Sequence, residues 1–227
     1  MTAPLPVAQP EDVGLSTTAL TRLAHVLDQR VASSHIPGAV ALVTRHGKVA
    51  FHQAFGLRDP ATAAPMPLDA IFRIYSMTKP IVSVAVMMLW EEGRFLLADP
   101  ISRYLPEFAD MAVATFSGEA MQRIPAHRPI TVQDLLRHTS GLTYEFRGGT
   151  PVHKAYAEAR VARLRQTNAE QTAALAGLPL LHQPGTRWEY SRSTDVLGRL
   201  AEVLSGRALG EFLTDRILRP LGMVDAA

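Results

Sequence analysis

The stretch that decides the fold is Ser76-Met77-Thr78-Lys79-Pro80, followed by the apolar run Ile81-Val82-Ser83-Val84-Ala85-Val86-Met87-Met88-Leu89-Trp90 and then Glu91-Glu92-Gly93. The run predicts a buried helix from about Ser76 to Glu92, with Pro80 tolerated in its first turn and Gly93 closing it. Met87 and Met88 read as core filler. A serine and a lysine three residues apart share one helix face, so Oγ and Nζ can meet. The serine lies near the positive end of the helix dipole, which favours an alkoxide. A lysine held beside it under apolar neighbours would have its pKa lowered and could accept the serine proton. The competing reading is an N-cap serine with a lysine snorkelling to the surface. Lys48, Lys79 and Lys154 are the only lysines among 23 basic residues. Spacing and context by themselves leave both readings open.

Working outward, residues 1–14 form a proline-rich irregular lead-in. Ser16 reads as an N-cap, with Leu20, Leu23, Val26, Leu27 and Val31 at helical spacing up to about Ser33. Ala39–Thr44 and Val49–Phe55 are apolar and partly β-branched, and they read as a hairpin turning at residues 45–48. Gly56 to Asp69 reads as a loop, and Ile71–Tyr75 as a β-like lead into the Ser76 helix. Beyond it the pattern is helices and long loops. Thr131 caps a short helix over Val132–His138, residues 152–176 read as one long helix, and Pro179 to Trp188 as a loop. Ser193–Leu204 and Leu209–Ile217 close the helical set. A lone hairpin is marginal in water, so it should belong to a larger sheet for which no further strands are legible.

Composition narrows the function. The 227 residues carry 23 basic and 21 acidic side chains, with 47% apolar and 7% aromatic residues. No run of Lys or Arg offers a nucleic-acid footprint. The absence of cysteine excludes thiolate catalysis and cysteine-ligated metals. The eight histidines show no metal-ligand spacing, and there is no glycine-rich phosphate loop or G-x-S-x-G elbow. The reading therefore calls for no cofactor, no metal, no nucleic acid and no membrane. With no signal peptide visible, it favours the cytoplasm.

At Ser76-Met77-Thr78-Lys79-Pro80 the chain resembles the serine β-lactamase-like hydrolases, in particular the class C β-lactamases and family VIII carboxylesterases. Further segments agree in order: Gly93–Pro100 with Tyr104-Leu105-Pro106-Glu107, then Ile130–Leu142 with its His138-Thr139-Ser140-Gly141. Pro184–Ser191 and Pro220-Leu221-Gly222-Met223 complete the set. The resemblance implies an α+β, β-lactamase/transpeptidase-like fold: an antiparallel sheet flanked by helices plus a mainly helical domain. Residues 1–72 would be the first part of the sheet domain, and 73–227 the helical domain. It implies Ser76 as nucleophile, Lys79 as its activator and Tyr190 as acid/base, acting on a small-molecule ester or lactam through an acyl-enzyme. His138 reads as a structural hydrogen-bonding residue beside Thr139 and Ser140.

Two departures shape the expectation. The β-lactamase branch has Asn two residues after the tyrosine, where this chain has Arg192, and Asp195-Val196-Leu197-Gly198-Arg199 is closer to the esterase branch. The reading is thus a serine carboxylesterase, with β-lactamase, D-amino-acid peptidase, acyltransferase or a truncated non-catalytic fragment as alternatives. The family also continues with further sheet strands, one carrying a third motif and an oxyanion-hole N–H. This reading expects those strands to be missing, leaving a hairpin edge open to self-association or to a companion chain completing the sheet.

Overall fold

The computed structural model describes residues 5–117, 120–163 and 165–226. Residues 1–4 of the expected lead-in, and residue 164 within the expected helix 152–176, lie outside them. The chain forms two compact units, residues 1–73 and 74–227.

In the first unit, Ser16 caps α1 (Thr17–Ala32), its side chain accepting the Ala19 N–H at 3.3 Å. Strand β1 (Gly38–Arg45) pairs antiparallel with β2 (Lys48–Asp59), with Gly38 opposite Gly56 and Arg45 opposite Lys48. Their connection is the two residues His46 and Gly47, both at positive φ (52° and 70°), which suits the right-handed twist of the strands. The hairpin does not stand alone. Within the stretch expected as a loop, β3 (Ala64–Pro65) pairs with β2 and gives the order β1-β2-β3. Val7 also forms a parallel bridge to Val49. These partners escaped the sequence reading because two residues are too few to show alternation, and Pro65 is tolerated only at a sheet edge.

The second unit is mainly helical. Ile71–Tyr75 is not a strand. A 3₁₀ turn over Tyr75–Met77 leads into α2 (Thr78–Glu91). This helix buries Val82, Ala85, Val86 and Leu89 and leaves Val84 and Trp90 exposed. It packs on α6 (Ser193–Ser205), whose Val196, Leu197, Leu200 and Ala201 are fully buried. A second hairpin, β4 (Ala112–Ser117) with β5 (Ala120–Pro125), stands where only helices and loops were expected. Its strands show no clean polar–apolar alternation, and Val113 gains a further bridge, to Leu180, that local sequence cannot announce.

The expected helix 152–176 is two helices, α4 (Pro151–Glu158) and α5 (Asn168–Ala176). Arg160 turns to φ +49°, and Thr167 with Glu170 forms a new capping box. The overlap of helical periodicity across the break hid it. The last helix, α7 (Leu209–Leu213), runs on into a π-helical turn over Thr214–Leu218. Among the described residues no helix is long and apolar enough to cross a membrane.

The short helix α3 (Val132–Leu136) carries a buried carboxylate. Asp134 accepts from both Arg128 Nη atoms (2.6 and 2.9 Å), from Thr131 N and Oγ1, and from Thr139 Oγ1. Burial alone would raise its pKa, but these donors outweigh burial and hold it low. Asp134→Ala should cost about 2–3 kcal/mol in urea unfolding, below the range for a fully buried pair because Arg128 reaches solvent. A lowered carboxylate contributes stability that is complete above its unfolded pKa. That increment is lost as pH falls through the folded value. The wild type should therefore lose it on acidification below the ordinary aspartate range, while the alanine variant should not.

Candidate active site

Ser76 sits in the turn just ahead of α2, one residue after Tyr75, whose φ of +45° is left-handed for a bulky residue. Lys79 lies in the first turn of α2 on the same face, and its Nζ donates to Ser76 Oγ at 3.2 Å. Tyr190 comes from the irregular segment before α6, and its hydroxyl donates to the same Oγ at 2.6 Å. The three residues named from the sequence are thus gathered around one oxygen, across 114 positions of chain. Lys79 Nζ also stands 4.8 Å from the Tyr190 ring centroid and 5.5 Å from that of Tyr144.

The electrostatics differ from the sequence expectation. Lys79 was expected to have its pKa lowered by burial. Burial does act that way, but the hydroxyls of Tyr190 and Tyr144 outweigh it, and the ammonium is raised. Hydrogen bonding with Lys79, and then with Ser76, lowers the Tyr190 phenol. A lysine that holds its proton thus stands beside a phenol that ionises more easily than usual.

Arg192 occupies the position where an amide side chain was noted as missing. Its Nη2 donates to both oxygens of Glu145 (2.8 and 3.1 Å), and its guanidinium covers the Tyr144 ring at 4.7 Å. Asp195, 3.9 Å from Arg192, is raised by burial despite the nearby cations Arg192 and Lys79. A cavity of about 190 Å³ opens here, lined by Tyr75, Lys79, Tyr144, Asn168 and Asp195 among others. A larger hollow of about 460 Å³, between the Phe108–Ala112 and Arg123–Pro129 segments, lies on other residues. Among the described residues no group of three His, Asp or Glu could hold a metal ion.

Sequence reasoning missed Tyr144, which is buried against Lys79 and stacks on Phe146 at 4.8 Å. A signal existed. Tyr144 with Phe146 and Trp188 with Tyr190 are two i, i+2 aromatic pairs in a chain poor in aromatics, and that spacing puts both rings on one side of an extended segment. His138 hydrogen-bonds, and its partner is Ser191, 53 residues away.

The Beta-lactamase family profile matches residues 23–227. This chain belongs to that family, and its fold is the β-lactamase/transpeptidase-like one. Protein Rv1367c of Mycobacterium tuberculosis is 40% identical over 191 residues, covering 84% of this chain and 47% of that protein. Esterase EstB of Burkholderia gladioli is 36% identical over 206 residues, covering 90% of this chain and 50% of the relative. Among solved structures, EstCE1, described as a hydrolase with promiscuous acyltransferase activity, superposes with a TM-score of 0.76 at 30% identity. It covers 89% of this chain and 51% of its own. The chain spans about half the length of the relatives it matches.

If Lys79 holds the Tyr190 phenol down, Lys79→Ala should return that phenol toward its ordinary value. An ultraviolet difference titration, with Tyr190→Phe to assign the signal among the five tyrosines, reads this directly. An unchanged Tyr190 titration would show that Lys79 exerts no such control.

Proposed function

We propose that this chain carries the nucleophile and acid/base pair of a serine hydrolase that cleaves small carboxylic esters through an acyl-enzyme on Ser76. The observation that supports it best is the double hydrogen bond to one exposed serine oxygen, from Tyr190 at 2.6 Å and Lys79 at 3.2 Å. In this reading Tyr190, as a phenolate paired with the Lys79 ammonium, takes the Ser76 proton as Oγ attacks the ester carbonyl. The re-formed phenol gives that proton to the departing alkoxide as the C–O bond breaks. Water then attacks the acyl group, its proton passes to Tyr190, and the carboxylic acid leaves as Ser76 Oγ regains a proton. Lys79 stays charged throughout and stabilises the negative end of each transfer.

The esterase relative EstB supports an ester substrate over a lactam. So does Arg192, which is held by Glu145 where the β-lactamase branch was expected to present an amide. Acyl transfer to an alcohol is the second reading, favoured by the acyltransferase activity named for EstCE1. It differs only in which hydroxyl attacks the acyl group.

A fluorophosphonate probe should label the chain on the Ser76 peptide, and Ser76→Ala should abolish both label and hydrolysis of a chromogenic short-chain ester while the thermal transition persists. Tyr190→Phe should lower the acylation rate by about 10²–10⁴-fold, the usual range for a general acid/base. Label on another serine, or full activity in Ser76→Ala, would overturn the assignment.

A further inference from the structure

Four consecutive residues of the Tyr190 segment lean on one residue outside the Ser76, Lys79 and Tyr190 set, three of them on its side chain. The His138 carbonyl accepts the Glu189 N–H at 2.8 Å. The His138 ring stands edge-on to Trp188 at 6.4 Å and packs against the Tyr190 ring at 5.1 Å. Its Nδ1 meets the Ser191 N–H at 3.3 Å and Ser191 Oγ at 3.2 Å. The backbone of His138 is left-handed, with φ +56°, which aims the ring at this segment.

The chemistry of the partners fixes the tautomer. A backbone N–H can only donate, so Nδ1 must present its lone pair and the neutral ring carries its proton on Nε2. Behind Ser191 the polarity continues through buried hydroxyls. Ser191 Oγ lies 2.8 Å from Ser193 Oγ, and Ser193 Oγ lies 2.8 Å from Ser140 Oγ, which accepts the Leu142 N–H at 3.2 Å. With amides at both ends that cannot reverse, one arrangement pairs every hydroxyl: Ser140 donates to Ser193, Ser193 to Ser191, and Ser191 to the imidazole. All three serines are fully buried, so a reversed or broken chain would leave a donor unpaired away from water.

We propose that His138 is a positioning residue for Tyr190: a neutral, Nε2-protonated imidazole that aims the phenol at Ser76 by holding the Ser191 N–H and packing against the phenol ring. The kinetic side of this rests on the nucleophile reading of Ser76; the tautomer does not. Protonation of Nδ1 would set N–H against N–H at Ser191 and release the segment next to Tyr190. Burial, and then the charge of Lys79, hold the imidazole below its ordinary pKa. The Glu189 carboxylate is engaged with Thr143 and Arg147. The grip is therefore complete at neutral pH and is lost on acidification, as pH falls through the lowered value.

Two variants that both accept the left-handed backbone make the test. His138→Asn places an amide oxygen near the site of Nδ1, and His138→Gly removes acceptor and ring together. His138→Gly should lose about 10–100-fold in kcat on a short-chain ester, the scale of a small misalignment, with KM little changed. His138→Asn should recover at least about tenfold of that loss, and its acid limb should shift to lower pH because the titrating ring is gone. A glycine variant at the wild-type rate, or an asparagine variant as slow as the glycine one, overturns the proposal. Nitrogen-15 NMR of the imidazole decides independently of turnover and of how well the glycine variant folds. A bare Nδ1 with a protonated Nε2 supports the assignment, and a protonated Nδ1 at neutral pH overturns it. If the wild type neither hydrolyses ester nor takes the Ser76 label, the nucleophile reading fails while the NMR result still stands on its own.

Discussion

The packing of α2 on α6 is the constraint from which the site follows. Ser76 and Tyr190 each stand just ahead of one of these helices, so the separation of the two helix starts sets the distance between phenol and serine. Ala85, Val86 and Leu89 of α2 and Leu197, Leu200 and Ala201 of α6 are all buried in the core these two helices share. A core of this density does not deform by small increments. A substitution that pushed the helices apart would therefore reach Ser76 without touching it, through the 2.6 Å contact that depends on their spacing.

Charge is arranged around that contact in a definite order. Lys79 sits next to two phenols, Arg192 is paired with Glu145, and the half-buried Asp195 lies 3.9 Å from Arg192. The outcome is an ammonium that keeps its proton and a phenol that gives its own up more readily than usual. Burial alone would have argued the reverse for the lysine. The aromatic hydroxyls around it decide the direction, which is why Tyr144 matters to a site whose chemistry is centred elsewhere.

Much of this was legible in the sequence, and the reason differs from part to part. The apolar run 81–90 announces a buried helix because nothing else suits ten residues of that composition after an S-x-x-K-P start. The hairpin of β1 and β2 is legible because His46-Gly47 supplies a turn between two apolar runs. The hairpin of β4 and β5 was not, since its polar residues do not alternate cleanly with apolar ones and part of its pairing is with Leu180, far along the chain. Helix 152–176 looked continuous because periodicity is blind to a left-handed residue such as Arg160. At the site, i, i+3 spacing brings Ser76 and Lys79 together by local geometry. Tyr190 came only through family resemblance. His138 could not have been tied to Ser191, because no local rule links residues 53 apart.

The central claim is that Tyr190, Ser76 and Lys79 act as one unit, with the lysine working through the phenol. A double-mutant cycle on the rate of Ser76 acylation by an activated ester, comparing Tyr190→Phe, Lys79→Ala and the double variant, tests it most directly. Strong non-additivity is expected, with the double variant about as slow as Tyr190→Phe alone. If the two losses simply multiply, the residues act independently and the account of a lysine-held phenol is contradicted.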